Sequence, residues 1–201
     1  MYLMTPTQDI FGLALSDYLN DNSPQDIIVS SSIAEDDSLS LAYLCRCFEQ
    51  MPPLEQRALS LCKGKTLDIG SGAGSHSLWL SKQGIEVTGL DVSEGAVHFS
   101  RKRLEKSKTR TRYQMLHQNV FEHKGQYDTL LLLMNGTGIF ETIDKVDHCL
   151  QNLKTLLKKG GQILIDSSDI KYMFEDEDGG FWIDTHKDYY GEVSYQMHYK
   201  T

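Results

Sequence analysis

The segment that most constrains this chain is Leu67-Asp68-Ile69-Gly70-Ser71-Gly72-Ala73-Gly74-Ser75. An apolar, strand-like stretch runs directly into three glycines at alternate positions and then into a helical pattern. Glycine allows backbone angles and a closeness of approach that a Cβ forbids, and a helix N-terminus leaves free amide N–H groups. Such a turn lets a ligand lie against the main chain at the carboxyl end of a sheet. A second carboxylate follows at the right distance. Val87-Thr88-Gly89-Leu90-Asp91 reads as the next strand, and its terminal Asp91 stands 21 residues after Gly70. An acid about 20 residues downstream is placed to accept hydrogen bonds from ribose hydroxyls, so the two features together point to a bound nucleoside.

Strand and helix patterns alternate beyond Gly64. Strands are expected at 65–69, 86–90, 113–118, 127–133 and 162–166, and helices at 75–83, 93–105 and 143–158, the last closed by Lys158-Lys159 and Gly160-Gly161. The run Thr129-Leu130-Leu131-Leu132-Leu133 suits a strand covered on both faces. The expected fold is α/β: a doubly wound, mostly parallel sheet with helices on both faces. All four prolines fall in the first 53 residues, and Gly12 is the only glycine before Gly64. That shift divides the chain into an N-terminal helical cap over residues 1–51 and an α/β domain over 52–201. Helices are expected at 9–20 and 38–50, with loop or a brief extended piece at Ile27-Ile28-Val29. A further helix starts at Pro52-Pro53, with Leu54, Ala58, Leu61 and Cys62 as its apolar face. At the other end, Val193, Tyr195, Met197 and Tyr199 alternate as in an antiparallel strand, which leaves the C-terminal antiparallel strand incomplete, without a hairpin partner.

Composition removes several classes. The 201 residues carry a formal net charge of −8, which argues against a general nucleic-acid binder. No stretch approaches the ~20 apolar residues of a membrane helix, and the N-terminus lacks the pattern of a secretory signal. The four cysteines, Cys45, Cys47, Cys62 and Cys149, are scattered as reduced thiols of a cytoplasmic protein would be, and neither they nor the histidines His98, His117, His123, His148, His186 and His198 show metal-ligand spacing. No metal is expected. Glu175-Asp176-Glu177-Asp178 reads as a solvated loop, with Phe181-Trp182 as its anchor or a recognition surface.

The order Leu67-Asp68-Ile69-Gly70-Ser71-Gly72-Ala73-Gly74, then Leu90-Asp91-Val92-Ser93, then Gly125-Gln126-Tyr127-Asp128 through Met134-Asn135, then Leu156 through Ile165 resembles the class I S-adenosylmethionine-dependent methyltransferases over roughly residues 52–170. The resemblance implies S-adenosyl-L-methionine as cofactor, S-adenosyl-L-homocysteine as product, and a Rossmann-like fold. It places Asp68, Gly70, Ser71, Gly72 and Gly74 beside the methionine part, Asp91 on the ribose, and Val92, Asn119 and Val120 at adenine. Asn119 stands where the family often has aspartate, and its amide oxygen still accepts from an amino group. Asn135 falls in the loop that faces cofactor and substrate, which here lacks an Asn-Pro-Pro-Tyr sequence.

Methyl transfer needs alignment of acceptor, methyl and sulfur and, for hydroxyl or amine acceptors, removal of a proton. His76, just after the glycine loop, and Asp166, at the end of a strand, are the candidate bases. Each also has a plain structural reading, as a helix-start polar residue and a loop carboxylate. Tyr18, Tyr43 and Arg46 are candidate substrate contacts in the cap. A small-molecule acceptor is expected, and a homodimer stays open. Two other readings remain. An NAD(P)-dependent oxidoreductase on a Rossmann sheet would want glycine where Ser75 stands, and a non-catalytic S-adenosylmethionine-binding protein would explain the absence of an obvious base.

Overall fold

The computed structural model describes residues 4, 8–107, 109, 111–184, 186 and 189–200. The chain opens with α1 (Ile10–Asn20), the strands β1 (Ile27–Ser31) and β2 (Asp37–Leu39), and the short helix α2 (Leu41–Leu44). Then come α3 (Pro53–Leu61), β3 (Thr66–Ile69), α4 (Ser75–Lys82), β4 (Val87–Asp91), α5 (Glu94–Lys106), β5 (Tyr113–His117), β6 (Tyr127–Leu132), α6 (Val146–Thr155), β7 (Leu157–Ile165) and β8 (Tyr195–His198). Five strands form one parallel sheet in the order β5-β4-β3-β6-β7. The chain winds outward from β3 to β5, then returns to β3's other side with β6. The ends of β3 and β6 therefore flank the point where the winding reverses, the position at which open α/β sheets hold ligands.

The leucine run of β6 shows why this sheet is central. Successive strand residues point to opposite faces. Leu130 and Leu132 enter a core with Leu67, Ile69 and α6's Cys149 and Leu153. Leu131 and Leu133 enter a second core with Leu59 of α3, Leu80 of α4 and Val87. Both faces are dry, as the unbroken apolar run requires. Burial pushes the Cys62 thiol up to about 12, so this cysteine packs as an apolar side chain and carries no thiolate chemistry.

The N-terminal segment differs from a helical cap. β1 is the centre of a separate antiparallel sheet, β2-β1-β8. The C-terminal strand is thus paired, Ile28 opposite His198 and Ser31 opposite Tyr195; the unpartnered strand of the sequence reading is corrected. Tyr199 reinforces this closure by donating to Asp17 Oδ2 at 3.0 Å. Helix α1 lies on α5, and the contact is backbone to backbone: a Cβ on Gly95 would fall 2.4 Å from Gly12 Cα. Asp9 caps α1 by accepting from the Gly12 amide at 2.8 Å, and its other oxygen accepts from Ser93 Oγ and the Gly95 amide. One buried carboxylate therefore joins the starts of two helices.

Three further expectations change. The single helix over 38–50 is instead β2, α2 and a 3-10 turn over Phe48–Gln50. Phe48 turns away to stack on Trp79, with ring centroids 4.3 Å apart, while Arg46 turns inward. The helix over 143–158 ends at Thr155, and Lys158 to Gly161 bulge within β7, whose pairing with β6 jumps from Tyr127–Leu157 to Thr129–Gln162. Gly160 serves that bulge at φ +79°. On α3 the expected apolar face is rotated: Leu54 and Leu61 are exposed, and Glu55 and Leu59 are buried. Among the described residues no helix is long and apolar enough to cross a membrane.

Candidate functional site

A cavity of about 690 Å³ lies over the glycine loop. Its floor is Gly70 to His76, its side is Asp91 and Ser93, and its far wall is Phe11 of α1 and Leu44 of α2. The covering side is made by Leu39 of β2 and by all four residues of β8. The small sheet therefore roofs a cleft in the large one. This gives the terminal strands a purpose that no local pattern could show.

The loop is shaped by three different demands. Gly70 and Gly72 turn the chain at φ +71° and +50°. Gly74, also at positive φ, faces α5: a Cβ there would sit 2.8 Å from Ser100 Cβ. The loop is also clamped from outside. Arg103 donates to Ala73 O at 2.7 Å and to Cys45 O at 2.9 Å, and Ser75 Oγ donates to Leu44 O at 2.7 Å. Main-chain groups of the loop are thereby preorganised by side chains on α5 and α4.

Asp91 closes the loop's other side. Its Oδ2 accepts from the Gly72 amide at 2.8 Å and its Oδ1 from the Ser93 amide at 2.9 Å. A carboxylate has about four lone-pair sites, so each oxygen keeps capacity toward the cavity. Burial raises the Asp91 carboxyl above the usual aspartate range, and the two amide bonds only partly offset this. Asp68 is different. It lies under the loop, outside the cavity wall, and accepts from Ser77 Oγ at 2.6 Å. Burial pushes its carboxyl up as well. Its observed work is to brace the turn from strand to helix.

On the cavity wall, the structure assembles a buried ionic group that the sequence did not reveal. Arg46 donates through Nη2 to Glu55 Oε1 at 2.7 Å, and His76 Nε2 lies 2.8 Å from Glu55 Oε2. All three residues are buried, and Arg46 and His76 line the cavity. Burial works against the Glu55 charge, but the bonds from His76 and Arg46 outweigh it and hold the carboxyl below the usual range. The signal was present on α3: Glu55, Leu59 and Cys62 share a helical stripe, so an acid sits on the core side. Among the described residues, Arg46 Nε and the Ser71 hydroxyl are buried without a hydrogen-bond partner. Both belong to residues of the cavity wall, where a polar ligand is in reach of the loop.

Other expected site residues fall elsewhere. Val92, Asn119 and Val120 are buried beside the ends of β4 and β5 but are not part of the cavity wall. The Val92 carbonyl is 3.0 Å from His117 Nε2, and the Asn119 side chain accepts from the Phe121 amide. Tyr18 lies against Phe99, and Tyr43 sits under the Arg46 guanidinium at 4.0 Å; neither lines the cavity. Asp166 is occupied as a clamp, accepting from the Met134 amide at 3.0 Å and the Gly136 amide at 2.7 Å. It holds a loop in which Met134 and Asn135 both take φ near +65°, at +63° and +67°, and it is not part of the wall. Asn135 in turn accepts from the Ser168 amide. His198, grouped with the scattered histidines in the sequence, lines the cavity instead. Asp176 organises the acidic loop by accepting from the Gly180 amide and from Trp182 Nε1. Among the described residues no cluster of three or more His, Cys, Asp or Glu is arranged to hold a metal ion.

A Rossmann-like sheet with an open glycine loop and a strand-end carboxylate defines a nucleoside-cofactor protein. Comparison with known proteins narrows this. The model of the family described as "Methyltransferase domain" matches residues 62–195. A solved S-adenosylmethionine-dependent methyltransferase from Bacteroides fragilis, in complex with S-adenosyl-L-homocysteine, superposes with a TM-score of 0.87 at 36% identity, covering 98% of this chain and 78% of that one. The putative methyltransferase YqeM of Bacillus subtilis is 28% identical over 104 residues, 52% of this chain and 42% of its own length. A ubiquinone biosynthesis O-methyltransferase of Pelagibacter ubique is 28% identical over 101 residues, 50% of this chain and 40% of its own. The chain spans about two fifths of the length of these curated relatives. It belongs to the class I S-adenosylmethionine-dependent methyltransferase family, which sets aside the oxidoreductase reading.

Proposed function

We propose that the cavity over the glycine loop binds S-adenosylmethionine and that the protein transfers its methyl group to a small-molecule acceptor. The observation that carries this reading is Asp91: a carboxylate tied to the loop amide of Gly72, with unused acceptor sites on a cavity large enough for a nucleoside and its side arm. The complex of the Bacteroides fragilis relative with S-adenosyl-L-homocysteine supports it. Asp91 takes the ribose hydroxyls, the Gly70–Gly74 main chain takes the methionine portion, and Arg46 and His76 supply polar groups on the wall. Val92, Asn119 and Val120 form the buried rim beyond Asp91, on the adenine side.

When bound, the cofactor supplies a methyl group already activated on a positive sulfur. The chain's own share is alignment and exclusion of water, and positioning of this kind contributes about 7–11 kcal/mol to such reactions. The roof of β8 residues closes the cleft above the loop. His76 is the side chain placed to accept a proton, with Glu55 fixing its ring through Nε2. Asp166 serves the loop and takes no part in the chemistry. A cytoplasmic reaction is part of the same proposal.

The test is incubation with S-adenosylmethionine carrying a tritiated methyl group and a metabolite extract. Label is expected in an extractable small molecule. Tight binding of S-adenosyl-L-homocysteine with no label transferred to any acceptor would leave the non-catalytic reading.

A further inference from the structure

A second cavity, of about 320 Å³, opens at the same ends of the strands. Its wall comes from the stretch after β6, the serines after β7 and the segment leading into β8. Tyr195 borders both cavities, and the consecutive residues Met134 and Asn135 line the first and the second. The two spaces are therefore neighbours across a single loop, the one held open by Asp166.

Two polar groups of this wall are incomplete. Glu192 Oε1 accepts from the Ile143 amide at 2.7 Å, while no described residue donates to its Oε2. Thr142 Oγ1 is buried and has no hydrogen-bond partner among the described residues. Phe140, Tyr189 and Tyr195 supply aromatic surface. Among the described residues lining the cavity there is no lysine, arginine or histidine. The ammonium of Lys145, beside the wall, is engaged by Glu141 at 2.6 Å. An anion entering this space would lose its hydration and meet the Glu192 carboxylate, with no lysine, arginine or histidine among the described lining residues to offset it. A cation would gain the free oxygen of Glu192 and the faces of aromatic rings.

We propose that the second cavity is the acceptor site and that it selects a small amine-bearing molecule with a flat apolar body, rejecting carboxylates and phosphates. The ammonium group sits on Glu192, and the apolar body lies among Phe140, Tyr189 and Tyr195. This rests on the first cavity being the cofactor site.

Calorimetry on the full chain tests it. The protein is first saturated with S-adenosyl-L-homocysteine, then titrated with phenethylamine, 2-phenylethanol or 3-phenylpropionate. The amine is expected to bind at least tenfold more tightly than the acid, with the alcohol between. Glu192→Gln keeps an acceptor for the Ile143 amide and is expected to cancel the amine's advantage, with the affinity for S-adenosyl-L-homocysteine unchanged. Ile143→Lys, at a half-exposed wall position, is expected to shift the preference toward the acid. The proposal is overturned by equal binding of acid and amine, by no binding of any of the three, or by an amine preference that survives Glu192→Gln. Failure of S-adenosyl-L-homocysteine to bind, seen before any probe is added, overturns the cofactor reading and this one with it.

Discussion

In the parallel sheet, β3 finds β4 through a single crossover, Thr66 opposite Val87; in the roof, Ile28 finds His198 across most of the chain. The central strands β3, β4 and β6 are buried almost throughout, whereas β8 exposes Tyr195 and Met197. The first arrangement is stabilised by two apolar cores and by the helices α4, α5 and α6 that follow β3, β4 and β6. The second depends on a few long-range contacts, whose loop-closure entropy is recovered only once the rest is in place. The cavity proposed for the cofactor lies between the two. A site of this kind is formed by folding twice: the sheet supplies the loop and Asp91, and the roof, built from both ends of the chain, supplies the cover.

The junction between the regions is where this comparison breaks most easily. Glu55→Ala leaves Arg46, which comes from the N-terminal segment, buried without its carboxylate, and a loss of about 3–5 kcal/mol is expected in urea unfolding. The gap between variant and wild type should narrow in acid, because the Glu55 carboxyl is held below its ordinary range: its contribution is present at neutral pH and lost as pH falls through the folded value. A loss under ~1 kcal/mol would mean that the two regions are not joined there.

The next effect belongs to the sheet side. Asp91→Ala is expected to weaken S-adenosyl-L-homocysteine by about 1.5–3 kcal/mol, the range for hydrogen bonds to a charged group. Burial raises the Asp91 carboxyl, so in the wild type the affinity should begin to fall with falling pH before the point at which an ordinary aspartate protonates. The sign follows from the charged form being the acceptor. Calorimetry on Asp91→Asn should show a flat profile over the same window; a slope as steep as wild type would reassign the titration to another group.

A smaller change probes the roof alone. Tyr199→Phe removes the hydroxyl that meets Asp17 and should cost about 1 kcal/mol of unfolding free energy. Hydrogen exchange should show the added opening in β1 and β8 and leave β3 to β6 unchanged; uniform loosening would deny the roof its independence. The control is Lys102→Ala, which breaks an exposed pair with Glu105 on α5 and should change thermal stability by less than ~0.5 kcal/mol.

Periodicity and punctuation made the sheet legible because everything that builds it is local: β6's leucine run, the glycine turn, and Asp91 at the end of the next strand. The acidic stripe of α3 was equally local but was obscured by Leu54 and Leu61, two apolar residues that the fold leaves exposed. The roof was not legible for a different reason. Alternation in Val193–Tyr199 marks a strand but not its partner, and pairing of Ile28 with His198 leaves no trace in either segment. The same limit governed the site. Asp166 and His76 look alike as candidate bases in the sequence, yet the first is consumed by two loop amides, while the second lines the cavity with its Nε2 on Glu55.

The central claim is that the space between loop and roof receives an adenosyl sulfonium. Titrating the unmodified protein with S-adenosyl-L-homocysteine, and separately with NAD, tests it most directly. Saturable heat with the first at one site per chain, abolished or weakened at least tenfold by Asp91→Ala, and none with NAD, is the predicted result; heat with NAD alone, or binding of S-adenosyl-L-homocysteine that ignores Asp91, would contradict it.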